Sequence, residues 1–110
     1  MEIHKYYKLV TFVPVSHAKA VRDALGSAGA GVIGNYSFCT FSTKGVGRFK
    51  GMEGSNPTIG KVGEFEMVEE ERIETVCPEN LVSEVIAAVK KVHPYEEVPF
   101  DLYLLEKIPN

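Results

Sequence analysis

The sequence predicts an α+β fold in which four strands and two helices follow one another as β-α-β-β-α-β. Three observations carry the prediction. Lys8 to Val15, Tyr36 to Thr43, Glu64 to Cys77 and Phe100 to Glu106 hold β-branched and aromatic residues in strand-like alternation. Two stretches, from about His17 to about Ala28 and from Pro78 to Val92, repeat apolar residues at helical spacing. All ten glycines lie between Gly26 and Gly63, so backbone freedom is concentrated in one excursion between the second and third strands. With right-handed crossovers this order is the ferredoxin-like βαββαβ arrangement, a four-stranded antiparallel sheet with both helices on one face.

In the first strand Leu9, Thr11, Val13 and Val15 share one face, and Val10 and Phe12 the other. Apolar residues on both faces imply a sheet that is covered on both sides. Ser16 is a suitable N-cap for the first helix, whose stripe is Ala18, Val21, Leu25 and Ala28. Gly29 or Gly31 supplies the left-handed turn that ends it. In the second strand Tyr36, Phe38 and Thr40 alternate with Cys39 and Phe41. Lys44 to Gly63 then exceeds an ordinary connection, which is about 4 to 6 residues. In the third strand Val68 breaks the period of Phe65 and Met67, and Ile73, Thr75 and Cys77 restart it, so a bulge is expected near Glu69 to Glu71. Pro78 opens the second helix, with Leu81, Val85, Ala88, Val89 and Val92 inward and Lys90 and Lys91 at the C-terminal end. His93-Pro94 stops it. The last strand again carries apolar residues on both faces, Phe100, Leu102 and Leu104 against Tyr103 and Leu105. Two helices cannot cover both faces, so a homo-oligomer that buries the second is the physical expectation.

At 110 residues, 45% hydrophobic, 25% charged and net charge −3, the chain reads as one soluble globular domain, 1–110, with no bias toward nucleic acid. Cys39 and Cys77 form no C-x-x-C pair and read as buried free thiols. The start MEIHKYYKLV lacks a signal-peptide run, and no stretch approaches the roughly 20 apolar residues of a membrane span, so a cytoplasmic location is expected.

Two stretches suggest chemistry. The excursion holds Lys44, Arg48, Lys50 and Lys61 against Glu53, while Glu64 to Glu74 holds six glutamates against Arg72. Glycines let backbone N–H groups converge on an anion. However, Gly54 to Lys61 has one residue too many for a phosphate loop, lacks the following Ser or Thr and leads into a strand, which excludes nucleotide binding through that motif. Gly45-x-Gly47 lacks the third glycine of a dinucleotide fingerprint. The second stretch, His93-Pro94-Tyr95-Glu96-Glu97, places an imidazole and two carboxylates within one turn, a set suited to a divalent metal or to acid–base work. His17 reads as a first-turn surface residue without a sequence-adjacent partner, the three histidines His4, His17 and His93 are scattered, and Glu69 to Glu71 reads as a solvated strand edge.

From Lys8 to Leu104 the chain resembles the central inserted domain of the GTP cyclohydrolase type 2 homologue family, on the signatures GNYS, GxGRF, NPxIG and HPYEE in that order. That domain is similar in fold to the PII signalling proteins and to CutA-type cation tolerance proteins. The resemblance implies a trimer-forming module whose long hairpin loop lies near subunit clefts, where relatives bind small ligands or metal ions. The family's dinuclear metal site belongs to the flanking domain, so no catalytic residue carries over and a free-standing copy of the insert is expected. The function expected is a non-enzymatic, homo-oligomeric binding or regulatory module. Arg48, Lys50, Glu53 and Asn56 would contact an anionic ligand, and His93 with Glu96 or Glu97 would hold a divalent metal. The alternatives are a metal-dependent hydrolase and a docking subunit for a separately encoded metal-binding domain.

Overall fold

A computed structural model describes residues 5–106; His4 lies outside them. Strands β1 (Tyr6–Pro14), β2 (Phe41–Lys50), β3 (Phe65–Pro78) and β4 (Phe100–Leu104) form one sheet in the order β2-β3-β1-β4. Every neighbouring pair is antiparallel. Helix α1 (Ala18–Ser27) follows β1 and helix α2 (Val82–Val92) follows β3, each entered through a short 3-10 turn. The ferredoxin-like α+β arrangement is therefore the observed one. Among the described residues no helix is long and apolar enough to cross a membrane.

Both helices lie on the face that carries Leu9, Val13, Ile73 and Cys77, against which Val21, Leu25, Val85 and Val89 are fully buried. Thr11 and Thr75 are buried on the same face, and Thr11 Oγ1 donates to Pro99 O at 2.8 Å. The helix α1 stripe is thus read correctly, but Ser16 is no N-cap. It lies inside the 3-10 turn Val15–His17, with its hydroxyl 2.8 Å from Nδ1 of exposed His17. The helix ends in a Schellman motif, with Gly29 at φ +105°, Gly29 N bonded to Gly26 O and Ala30 N to Leu25 O.

Four further expectations are corrected. The second strand is displaced along the chain: it starts at Phe41 and continues through Lys50, so the first third of the expected loop, Lys44 to Lys50, is strand. Tyr36 instead closes a turn at Gly34 and Asn35 by a bridge to Ile33, and residues 37–40 have no regular structure. No bulge interrupts β3, whose register is unbroken with β2 from Phe65 to Glu74 and with β1 from Glu70 to Pro78. The period changes because the cover changes. Residues 65–69 pair only with β2, beyond the reach of the helices, whereas Glu71, Ile73, Thr75 and Cys77 lie under them. Finally, Glu70 and Glu71 belong to an inner strand and are buried, not solvated. Glu71 is held there by Arg22 of α1 at 2.6 Å. Cys77 is buried, but Cys39 is only half-buried and lies outside the core.

The face without helices is shielded by long charged side chains. Val10 is fully buried opposite Glu74, and the Arg72 guanidinium lies 5.7 Å over the Phe12 ring, held in turn by Glu74 at 3.1 Å. Their aliphatic stems cover apolar surface while the charged heads stay wet. Phe41 and Tyr103 stay 67% and 52% exposed on this face, and on the other face, at the projecting end of the β2–β3 ribbon, Phe65 is 81% and Met67 69% exposed. This ribbon contributes to a longest dimension of 52 Å.

Candidate functional site

The site begins with the alternation of β2. Gly47 and Phe49 face the side away from the helices, together with Phe12 and Glu70; Arg48 and Lys50 face the other side, with Met67 and Phe65. The Lys50 ammonium sits there, 5.0 Å over the Phe65 ring. After β2 the chain folds back, and Gly51 bridges Val62. A turn at Met52 to Ser55 follows, in which Ser55 N and Oγ both donate to Met52 O and Gly54 takes φ +95°.

This loop docks on the turn between α2 and β4. Asn56 N donates to Glu96 Oε1 at 2.9 Å, and the Thr58 hydroxyl donates to Pro94 O at 2.7 Å. The turn is in turn fixed to the sheet by His93, whose Nε2 lies 2.7 Å from Phe12 O and whose Nδ1 accepts from Tyr95 N at 3.1 Å. One nitrogen must donate and the other accept, so His93 is the neutral Nε2–H tautomer. Burial pushes its pKa below the usual histidine value of 6.5, with the Phe12 carbonyl and Glu70 opposing that shift and His17 adding to it.

Tyr95 reaches across to the sheet. Its hydroxyl donates to Glu70 Oε2 at 2.5 Å, and its ring meets Phe49 edge-on with centroids 6.0 Å apart. Burial and the Glu70 carboxylate raise the phenol pKa, so Tyr95 remains a donor throughout the working range. Gly47 permits this contact by its lack of a side chain, since a Cβ there would lie 1.9 Å from Glu70 Oε1. Together these elements wall a cleft of about 720 Å³, floored by Phe12, Phe49 and Tyr95.

Of the residues singled out in the sequence, Arg48, Lys50, Glu53, Glu96 and Glu97 all border this cleft. Strand alternation nevertheless sends the Arg48 and Lys50 side chains to the opposite face. Asn56 contributes its backbone N–H to Glu96. His93 is buried with both nitrogens engaged, so it would have to release Tyr95 N before binding a metal. Among the described residues no group of three or more His, Cys, Asp or Glu is placed to hold a metal ion. Glu70, Tyr95, Phe49 and Gly47 carry the site's construction without having been assigned to a ligand; Tyr95 lies in the HPYEE stretch, but only the strand register, which sets Gly47 diagonal to Glu70, reveals the other three.

The His93 geometry has a measurable consequence. Because the folded-state pKa lies below the ordinary one, the unfolded chain takes up this proton first as pH falls. The contribution is therefore fully present above about pH 6.5 and is lost as pH falls through the folded-state value. His93→Gln is expected to flatten the decline in melting temperature between pH 7.5 and 5 relative to the parent protein; parallel declines would assign the acid sensitivity elsewhere.

No protein-family model matches the chain. A GTP cyclohydrolase 1 type 2 homologue of Halalkalibacterium halodurans is 60% identical over 99 residues, 90% of this chain and 27% of that protein. The Bacillus cereus protein related to NIF3 superposes with TM-score 0.85 at 50% identity, covering 97% of this chain and 27% of the other. The periplasmic divalent cation tolerance protein CutA of Archaeoglobus fulgidus superposes with TM-score 0.66 at 16% identity over 96% of this chain and 86% of its own, a likeness of fold. The expected resemblance to the cyclohydrolase homologues, and through the fold to CutA, is thus observed. The chain spans 27% of the length of the cyclohydrolase homologue it matches.

Proposed function

We propose that this chain, the counterpart of one segment of the GTP cyclohydrolase 1 type 2 homologues, is a non-enzymatic, homo-oligomeric module of the cytoplasm. It binds a small ligand in the cleft between the 51–64 loop and the 93–97 turn and signals occupancy through the loop. The observation that carries this reading is the docking of the loop by Asn56 on Glu96 and by Thr58 on Pro94, which makes a half-open, aromatic-floored cleft from two distant parts of the chain. Few polar contacts hold the loop, so occupancy and loop order are coupled.

Assembly is supported by the projecting ribbon. A two-stranded hairpin is marginal alone in water, and here its outer end exposes Phe65 and Met67. A second and third copy packed against it would bury them, and a trimer is the closed arrangement we favour. Sedimentation equilibrium at micromolar concentration should give about three times the 12.1 kDa chain mass; a single-chain mass would remove the assembly.

For the ligand, thermal shift against a panel of metabolites and divalent ions is expected to give at least one stabilising compound, as anything that binds only the native state raises its melting temperature. Thr58→Val, which deletes one loop contact, should weaken that response. A ligand that stabilises both proteins equally binds elsewhere, and a flat response across the panel would favour docking onto a separate metal-binding domain.

A further inference from the structure

The cleft has a charge pattern opposite to the one its sequence suggests. The cations of the excursion nearest to it, Arg48 and Lys50, direct their side chains to the far face of the ribbon. The other charged residues that line the cleft are acidic, Glu53, Glu70, Glu96 and Glu97, and Glu70 lies on the same face of the ribbon as Gly47 and Phe49. An anion entering beside Glu70 would lose water against a like charge, whereas a cation would gain from it.

One of these carboxylates is built into the wall. Glu70 is only 8% exposed. Its Oε2 takes the Tyr95 hydroxyl, while Oε1 has no hydrogen-bond partner among the described residues. No side-chain polar atom of those residues is both fully buried and unpaired, so Oε1 keeps an opening. A carboxylate oxygen held in place, nearly dry and lacking a donor is an acceptor waiting for an N–H group. Beside it lie the rings of Phe12, Phe49 and Tyr95, and Phe12 already serves as a platform for one cation, Arg72, at 5.7 Å. Aromatic faces next to carboxylates are how proteins hold organic cations, because the ring quadrupole attracts the charge while the ring buries the apolar body.

We propose that the cleft selects an organic cation, a protonated amine or amidine on a flat apolar body, which donates to Glu70 Oε1 and rests on Phe12, Phe49 and Tyr95. This specificity rests on the cleft being a ligand site at all, and one experiment separates the two. Amide resonances of the full chain are followed by NMR while tryptamine is added, and in parallel samples indole-3-propionate, a molecule of similar shape and opposite charge, or magnesium or zinc alone. Tryptamine is expected to give saturable shifts at Gly47, Phe49, Glu70 and Tyr95, with at least about ten-fold tighter binding than the propionate. Glu70→Gln should weaken tryptamine about ten-fold, and Phe49→Ala should weaken it independently of Glu70.

If the propionate moves the same amides with equal or greater affinity, the cleft stands as a ligand site and the cation preference falls. The same holds if a bare divalent ion saturates those resonances. If none of the probes touches them, both readings fall. Should Glu70→Gln not fold, which its amide dispersion would reveal, the tryptamine–propionate ratio on the parent protein still decides.

Discussion

Gly47→Ala is expected to dismantle the cleft while leaving the fold standing. The added methyl would sit 1.9 Å from Glu70 Oε1, so the carboxylate must swing away, and because it is buried and tied to Tyr95 it cannot move freely. Overpacking of this kind costs about 1 to 3 kcal/mol, and loss of a hydrogen bond to a charged group about 1.5 to 3. The two terms describe one displacement, so they are not independent. Tyr95→Phe alone should destabilise the protein by about 1.5 to 3 kcal/mol, yet add little in a Gly47→Ala background, where the bond is already broken. Denaturant unfolding of the two single variants and the double variant measures this coupling. Full additivity would mean that Gly47 does not set the position of Glu70.

The largest loss of stability is expected at Gly31. Its φ is +79°, and a Cβ there would lie 2.6 Å from Cys39 O and 2.8 Å from Cys39 N. Both obstacles are backbone, and that backbone is pinned: Gly31 N donates to Val76 O, Cys39 N donates to Gly31 O, and Thr75 Oγ1 donates to Cys39 O. These bonds line the edge of β3 ahead of the start of β2. A left-handed alanine costs about 1 to 2 kcal/mol before any clash, and displacement of the pinned segment brings the expected loss above about 4 kcal/mol, in the range reserved for broken networks. Gly34 supplies the control. Its φ is +56° with nothing within 4 Å of a Cβ, so Gly34→Ala should cost only the conformational part, about 1 to 2 kcal/mol. Equal midpoint shifts in urea for the two variants would refute the steric account.

The order of the elements is legible in the sequence because each strand and helix carries its own period, and the two apolar helix stripes leave little choice of inward face. The position of β2 is not. KGVGRFK reads as a loop because glycine and lysine are poor strand formers, and its pairing with residues 65–71 overrides that preference. The glycine that misleads the local reading is the one the site requires, since Gly47 makes room for Glu70. The same holds for Glu69 to Glu71. A change in burial period resembles a bulge until the end of the helix layer is known, and nothing in the local residues marks that end. The candidate site is readable as two stretches, the excursion and the His93 turn. Their union depends on contacts between residues 40 and 36 positions apart in the chain, and the direction of Arg48 and Lys50 depends on a strand that composition conceals.

The projecting ribbon also divides the molecule into parts that open on different timescales. Residues 70–78 of β3 are clasped by β1 and lie on the helix-packed core, whereas residues 65–69 hold to β2 alone. Amide hydrogens of the first group should exchange only through global unfolding, and those of the second through local fraying. The cleft is built across this boundary, with Glu70 on the slow side and the folded-back loop on the fast one. A bound molecule would therefore announce itself as slowed exchange in residues 51–69, even at sites it never touches.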